Sequence, residues 1–212
     1  MSVKPIFFAL DGKHLDNFSR ELEILKGNIY GVKVGLEMFT SEGPSSVEKL
    51  KKDGWTVFLD LKLHDIPNTV QAAAISAGNI GADYLTIHIA SGKETLLAAK
   101  ESKPENLKLL GVSTALTSKA YSPEISQRVY EEFLLAKESK IDGVICPPSE
   151  LFKTKELFEL IVTPGIRLKN DDSHDQKNIT TPEKAIRDGA SYLVMGRSIR
   201  QNINSVVEKL KL

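Results

Sequence analysis

Short apolar runs alternate along this chain with longer stretches whose apolar residues recur at helical spacing. The short runs predict strands over 5–11, 30–34, 55–62, 83–88, 107–113, 143–146, 160–163 and 191–195. The longer ones predict helices over 14–26, 45–52, 69–80, 93–102, about 126–139, 149–154, 182–188 and from about 199 to 210. In the first helix Leu15, Phe18, Leu22 and Leu25 share one face, and the second is capped around Gly43-Pro44-Ser45. Glycines at 54, 81, 143 and 189 punctuate helix–strand junctions, as tight αβ loops require. Eight strand-then-helix units with no linker or low-complexity break predict a single domain over 1–212, an α/β fold of the (β/α)8 TIM-barrel type. An open doubly wound sheet would be favoured by Gly-x-Gly-x-x-Gly after the first strand, and Asp11-Gly12-Lys13-His14 is not one.

Charge breaks the apolar pattern where the strands end. The third strand runs Thr56-Val57-Phe58-Leu59 and then Asp60-Leu61-Lys62, which sets Asp60 and Lys62 on one face and Leu59 and Leu61 on the other. Asp65 follows the strand, and Pro67 opens the next helix, where a missing N–H costs nothing. Buried Asp and Lys are expensive unless they pair or act on something. A structural ion pair would explain one such strand, but the first ends in Asp11, the second carries Lys33, the fourth ends in His88, and the fifth ends in Ser113 with Thr114 and Thr117 beyond. In a barrel these ends converge on one mouth, where barrel enzymes place their chemistry.

Gly165-Ile166-Arg167 follows the seventh strand and Gly196-Arg197 the eighth, the positions where this fold usually binds phosphate. Glycine permits close backbone approach, and a guanidinium pairs with a dianion. Between them, residues 168–181 are polar, with Asp171, Asp172, His174 and Gln176, and long enough to form a lid over a ligand.

Composition narrows the partners. The 212 residues are enough for a full core, and 28 basic against 28 acidic residues leave no electrostatic footprint for nucleic acid or an anionic membrane. Cys146 is the only cysteine, so neither a disulfide framework nor a cysteine metal cluster is expected. The run Ile6–Leu10 is too short for a signal peptide or a membrane span, and a cytoplasmic protein is expected. His64, Asp65 and His88 would suit a metal-dependent sugar-phosphate aldolase or epimerase, but Lys33 and Lys62 would repel the ion. A barrel that merely binds a nucleotide would not need carboxylates facing an anionic ligand.

The segment Asp60-Leu-Lys-x-x-Asp-Ile-Pro-x-Thr69 resembles the signature of the orotidine 5'-phosphate decarboxylase family. Similar matches run in order through Ala9-Leu10-Asp11, Val32-Lys33-Val34-Gly35, Leu116-Thr117-Ser118, residues 163–167, Asp175-Gln176 and Gly196-Arg197-Ser198-Ile199. The resemblance implies a cofactor-free, metal-free carboxy-lyase that makes UMP and CO2 from orotidine 5'-phosphate, working as a homodimer with sites at the interface. It implies Lys62 as proton donor to C6 of the pyrimidine, Asp60 beside the departing carboxylate and Lys33 bridging Asp60 and the ribose. Asp11 would bind the ribose, Thr117 the pyrimidine, and Gln176, Gly196 and Arg197 the phosphate, with Arg167 nearby. Asp65, Ile66 and Thr69 would reach the other subunit's site. Two positions depart from the family pattern: Asn178, where an arginine is common, and residues 88–92, His-Ile-Ala-Ser-Gly.

Overall fold

A computed structural model describes residues 3–114, 122–168 and 180–209. Eight parallel strands close into a barrel in chain order: β1 (Lys4–Ala9), β2 (Ile29–Gly35), β3 (Thr56–Leu63), β4 (Tyr84–His88), β5 (Lys108–Val112), β6 (Gly143–Ile145), β7 (Ile161–Thr163) and β8 (Tyr192–Met195). The helices are α1 (Ser19–Leu25), α2 (Leu36–Glu42), α3 (Pro44–Lys52), α4 (Pro67–Asn79), α5 (Lys93–Ser102), α6 (Pro123–Glu138), α7 (Leu151–Thr154), α8 (Pro182–Asp188) and α9 (Arg197–Gln201). None of the described helices is long and apolar enough to cross a membrane.

Strand alternation divides the core in two. Ile6, Phe8, Val32, Val34, Val57, Leu59, Leu85 and Ile87 pack outward against the helices. Phe7, Phe58, Tyr84, Leu110, Val112, Ile145 and Val162 fill the barrel. Phe7 is the hub of this inner cluster, meeting Tyr30, Phe58 and Tyr84 edge-on with ring centroids 5.3–5.4 Å apart. Such edge-to-face pairs contribute about 0.5–1.5 kcal/mol beyond burial. Tyr30, Tyr84 and Tyr192 stand at the N-terminal ends of their strands, and a 2.9 Å hydrogen bond joins the hydroxyls of Tyr30 and Tyr84. Burial raises the Tyr84 phenol far above its ordinary value and pushes Tyr192 up to about 12. The barrel therefore has an aromatic floor, with the Lys108 ammonium 5.8 Å from the Tyr84 ring centroid.

Several elements differ from expectation. The helix expected over 14–26 begins as a 3-10 turn, Leu15–Phe18, because both buried apolar residues of that turn lie three apart and three residues per turn stacks them. Helix α2 falls on a stretch left unassigned by periodicity. The closing helix starts earlier, at Arg197, and breaks at Asn202 (φ −139°, ψ 41°), with a turn of π-helix following at Ser205–Lys209; its expected end at 210 lies outside the described residues. Gly54, Gly81 and Gly189 are the left-handed junction residues expected. Gly143 is not: it is the first residue of β6, and the left-handed turn before it is made by Lys140, φ 56°.

Candidate active site

The inner face of β3 runs Phe58, Asp60, Lys62, from the aromatic floor to the C-terminal mouth. Beside it, β2 turns Lys33 inward, and Gly35 pairs in register with Asp60. A Cβ on Gly35 would lie 3.2 Å from Lys33 Nζ, so this glycine leaves room for the ammonium to lie across the strand. Lys33 Nζ stands 3.5 Å from Asp60 Oδ2 and 3.4 Å from Asp11 Oδ1, and Lys62 Nζ donates to Asp60 Oδ2 at 2.8 Å. Carboxylates and ammonium groups thus alternate Asp11–Lys33–Asp60–Lys62. The Lys33 and Asp60 side chains are only 10% and 13% exposed, whereas Lys62 is 35% exposed and opens to the mouth. At an effective dielectric near 20, each close contact is worth roughly 5–6 kcal/mol before desolvation.

Burial alone would raise the Asp60 carboxyl. The charges of Lys33 and Lys62, with hydrogen bonds from Lys62 and Thr86, outweigh it and hold the group below its ordinary value. The Thr86 hydroxyl donates to Asp60 Oδ1 at 2.9 Å and accepts the Lys62 backbone N–H at 2.8 Å. Lys62 has φ 51°, a left-handed backbone, and the β3–β4 register shifts between Leu59 and Leu63. Simple alternation therefore ends at Lys62, although its side chain still reaches Asp60.

Asp11 lies beyond β1, which ends at Ala9, and its side chain is two-thirds exposed. A Cβ on Gly196 would come within 3.2 Å of Asp11 Oδ2, which sets the end of β8 against this carboxylate. Arg197 is exposed at the first position of α9. Gly165, Ile166 and Arg167 pair with the far end of the polar loop: Arg167 N–H donates to Thr180 O at 3.0 Å, and Thr180 N–H to Gly165 O at 3.3 Å. The Arg167 guanidinium donates to Ile166 O at 2.9 Å. Ser198 Oγ contacts the same carbonyl at 3.5 Å, so the loops after β7 and β8 meet as expected.

Asp65 does not join the cluster within its own chain. It is exposed, its Oδ1 accepts the N–H of Ile66 at 2.7 Å, and among the described residues no ion pair reaches it. Ile66 and Thr69 are exposed beside it, Ile66 at 65%, and Leu36 after β2 is exposed at 55%. His88, at the end of β4, packs edge-on to His64 with ring centroids 5.4 Å apart, and burial lowers its basicity. Among the described residues, no group of three or more His, Cys, Asp or Glu side chains is arranged to hold a metal ion. Glu132 of α6 accepts both the N–H and the hydroxyl of Thr114, tying down the end of β5. Thr117, Gln176 and Asn178 lie outside the described residues.

A closed (β/α)8 barrel with buried alternating charges at its C-terminal mouth is the architecture of a barrel enzyme. The chain belongs to the orotidine 5'-phosphate decarboxylase / HUMPS family, whose profile matches residues 4–211. It is 40% identical over 219 residues to the orotidine 5'-phosphate decarboxylase of Fusobacterium nucleatum, covering 95% of this chain and 91% of the relative. The enzyme of the same name from Buchnera aphidicola is 38% identical and is matched over 94% of its length and 100% of this chain. The crystal structure of orotidine 5'-phosphate decarboxylase from Lactobacillus acidophilus superposes with a TM-score of 0.77 at 31% identity, covering 96% of this chain and 97% of that one.

Proposed function

We propose that this chain decarboxylates orotidine 5'-phosphate to uridine 5'-phosphate and CO2 without metal or cofactor. The observation that carries the reading is the Lys62 ammonium, paired at 2.8 Å with a buried Asp60 and open to the mouth. Loss of CO2 leaves the electron pair of the broken bond on C6. The ammonium stabilises that charge as it develops, then delivers its proton to C6. Asp60 stands beside the substrate carboxylate, and like charges about 4 Å apart repel by roughly 4 kcal/mol at an effective dielectric near 20. Departure of CO2 removes that repulsion.

Lys33 bridges Asp60 and Asp11, pairing with both carboxylates, and binds ribose hydroxyls together with Asp11. Gly196, Arg197, Arg167 and Gln176 bind the phosphate, and Thr117 binds the pyrimidine. The active form is a homodimer in which Asp65, Ile66 and Thr69 enter the other subunit's site. The exposed apolar side chains of Ile66 and Leu36, which follow neighbouring strands at the mouth end, support that interface. Mixing purified protein with orotidine 5'-phosphate should erase the orotate absorbance, equally well after exhaustive EDTA. No absorbance change, or activity lost to chelator and restored by a divalent metal, would overturn the proposal.

A further inference from the structure

We infer that Thr86 is a positioning residue for this reaction: its single hydroxyl fixes the orientation of Asp60 and the backbone turn that presents Lys62. The inference rests on the decarboxylase reading above and deepens it. Thr86 interrupts an apolar strand, Tyr84-Leu85-Thr86-Ile87-His88, on the face that looks into the barrel, and it is fully buried. A hydroxyl has one proton to give, and here it goes to Asp60 Oδ1 at 2.9 Å. Oδ2 is left to the two lysines, Lys62 Nζ at 2.8 Å and Lys33 Nζ at 3.5 Å. The carboxylate is thereby locked by its two ends, with the ammonium groups on one oxygen and the hydroxyl on the other.

The same hydroxyl accepts the Lys62 N–H at 2.8 Å. In a regular ladder that N–H would bond a strand carbonyl, but Lys62 is left-handed and β3 regains its pairing with β4 only at Leu63, opposite Ile87. A lysine in that conformation is strained, so it needs something to hold it there. Thr86 Oγ1 does so. One atom therefore sets both the general acid's backbone and the carboxylate with which its ammonium pairs.

Asp60 is faced by Lys33 from β2, Lys62 from its own strand and Thr86 and His88 from β4, with Asp11 behind Lys33. Removing the hydroxyl withdraws a hydrogen bond that favours the ionised carboxylate, so Asp60 becomes easier to protonate. Thr86→Val should lower kcat about 10- to 100-fold, the equivalent of losing a hydrogen bond to a charged group. KM should change little, and the acidic limb of the kcat/KM profile should move to higher pH. Thr86→Ser, which keeps the hydroxyl, should restore both. A residue that merely fills space would lower Tm and leave the acidic limb where it is.

If Thr86→Val fails to fold, Thr86→Cys decides: its thiol is a weak donor, and the acidic limb should again move up. Wild-type kcat and an unmoved limb in the folded variant, or a Thr86→Ser enzyme as impaired as the valine variant, would overturn the inference. A wild-type chain inert toward orotidine 5'-phosphate would remove the proposed function and the inference with it. Indifferent variants of an active wild type would remove the inference alone.

Discussion

Asp60 carries two ammonium groups on one carboxylate oxygen and a hydroxyl on the other, an arrangement that balances only while the carboxylate is ionised. Asp60→Asn would keep the shape but leave Lys62 without its counter-charge and Lys33 with Asp11 alone. Breaking such a buried pair costs about 3 kcal/mol or more. Because the folded state holds the Asp60 carboxyl below its ordinary value, its stabilisation is present above the unfolded range, near pH 4, and is lost as pH falls through the lowered value. Urea titrations of the wild type and Asp60→Asn should therefore differ by a constant amount at neutral pH and converge in acid. A gap that stays constant down to pH 2 would mean the charge is not what stabilises. Lys62→Ala makes the complementary case: Lys62 is partly exposed, so the variant should stay folded and bind nucleotide while turnover of orotidine 5'-phosphate disappears. Near-native turnover would assign the proton to another group.

The charged residues of the mouth were legible in the sequence because Asp and Lys violate an apolar strand pattern that is otherwise kept. Thr86 was not, since threonine is an ordinary strand residue and nothing local distinguishes its hydroxyl from any other. The left-handed Lys62 was equally silent, because backbone strain is set by the partner across the ladder.

At the scale of elements the same division holds. Strand-and-helix alternation exposed the eight units, but α2 escaped because Leu36-Glu37-Met38-Phe39-Thr40-Ser41-Glu42 is too short to develop a periodic face, and only Met38 of it is fully buried. Gly143 shows how a correct residue can carry the wrong reason. It reads as a turn glycine, but a Cβ there would lie 2.5 Å from Leu160 O and 2.6 Å from Leu160 Cγ, so it is the close approach of β6 to the residue preceding β7 that requires it. Backbone cannot yield as a flexible side chain can. Gly143→Ala should cost about 2 kcal/mol, seen as a Tm lowered by roughly 4–8 °C. Calorimetry showing an unchanged Tm would mean that the two strands can separate freely. Gly35→Ala meets the movable end of Lys33 at 3.2 Å and Asp11 Oδ1 at 4.0 Å, and should leave Tm nearly unchanged while displacing Lys33 and lowering turnover.

At the scale of the whole molecule, the barrel leaves Asp65 outside its own mouth. Asp11, Lys33, Asp60 and Lys62 are joined within the chain, whereas Asp65 is exposed next to Ile66. If the active form is the proposed dimer, Asp65 completes the partner's site, and this can be read without a structure of the complex. Homodimers of Lys62→Ala and of Asp65→Asn each have two defective sites. After dissociation and mixing, a hybrid has one site that lacks both residues and one that combines the intact Lys62 of one chain with the intact Asp65 of the other. Random reassociation makes half the dimers hybrids, so about a quarter of wild-type activity should return. If Lys62 and Asp65 served one site in cis, no pairing of these chains would rebuild it. Hybrids seen by native mass spectrometry that stay inactive would refute the shared site, because the exposed position of Asp65 would then have no partner across the interface to explain it.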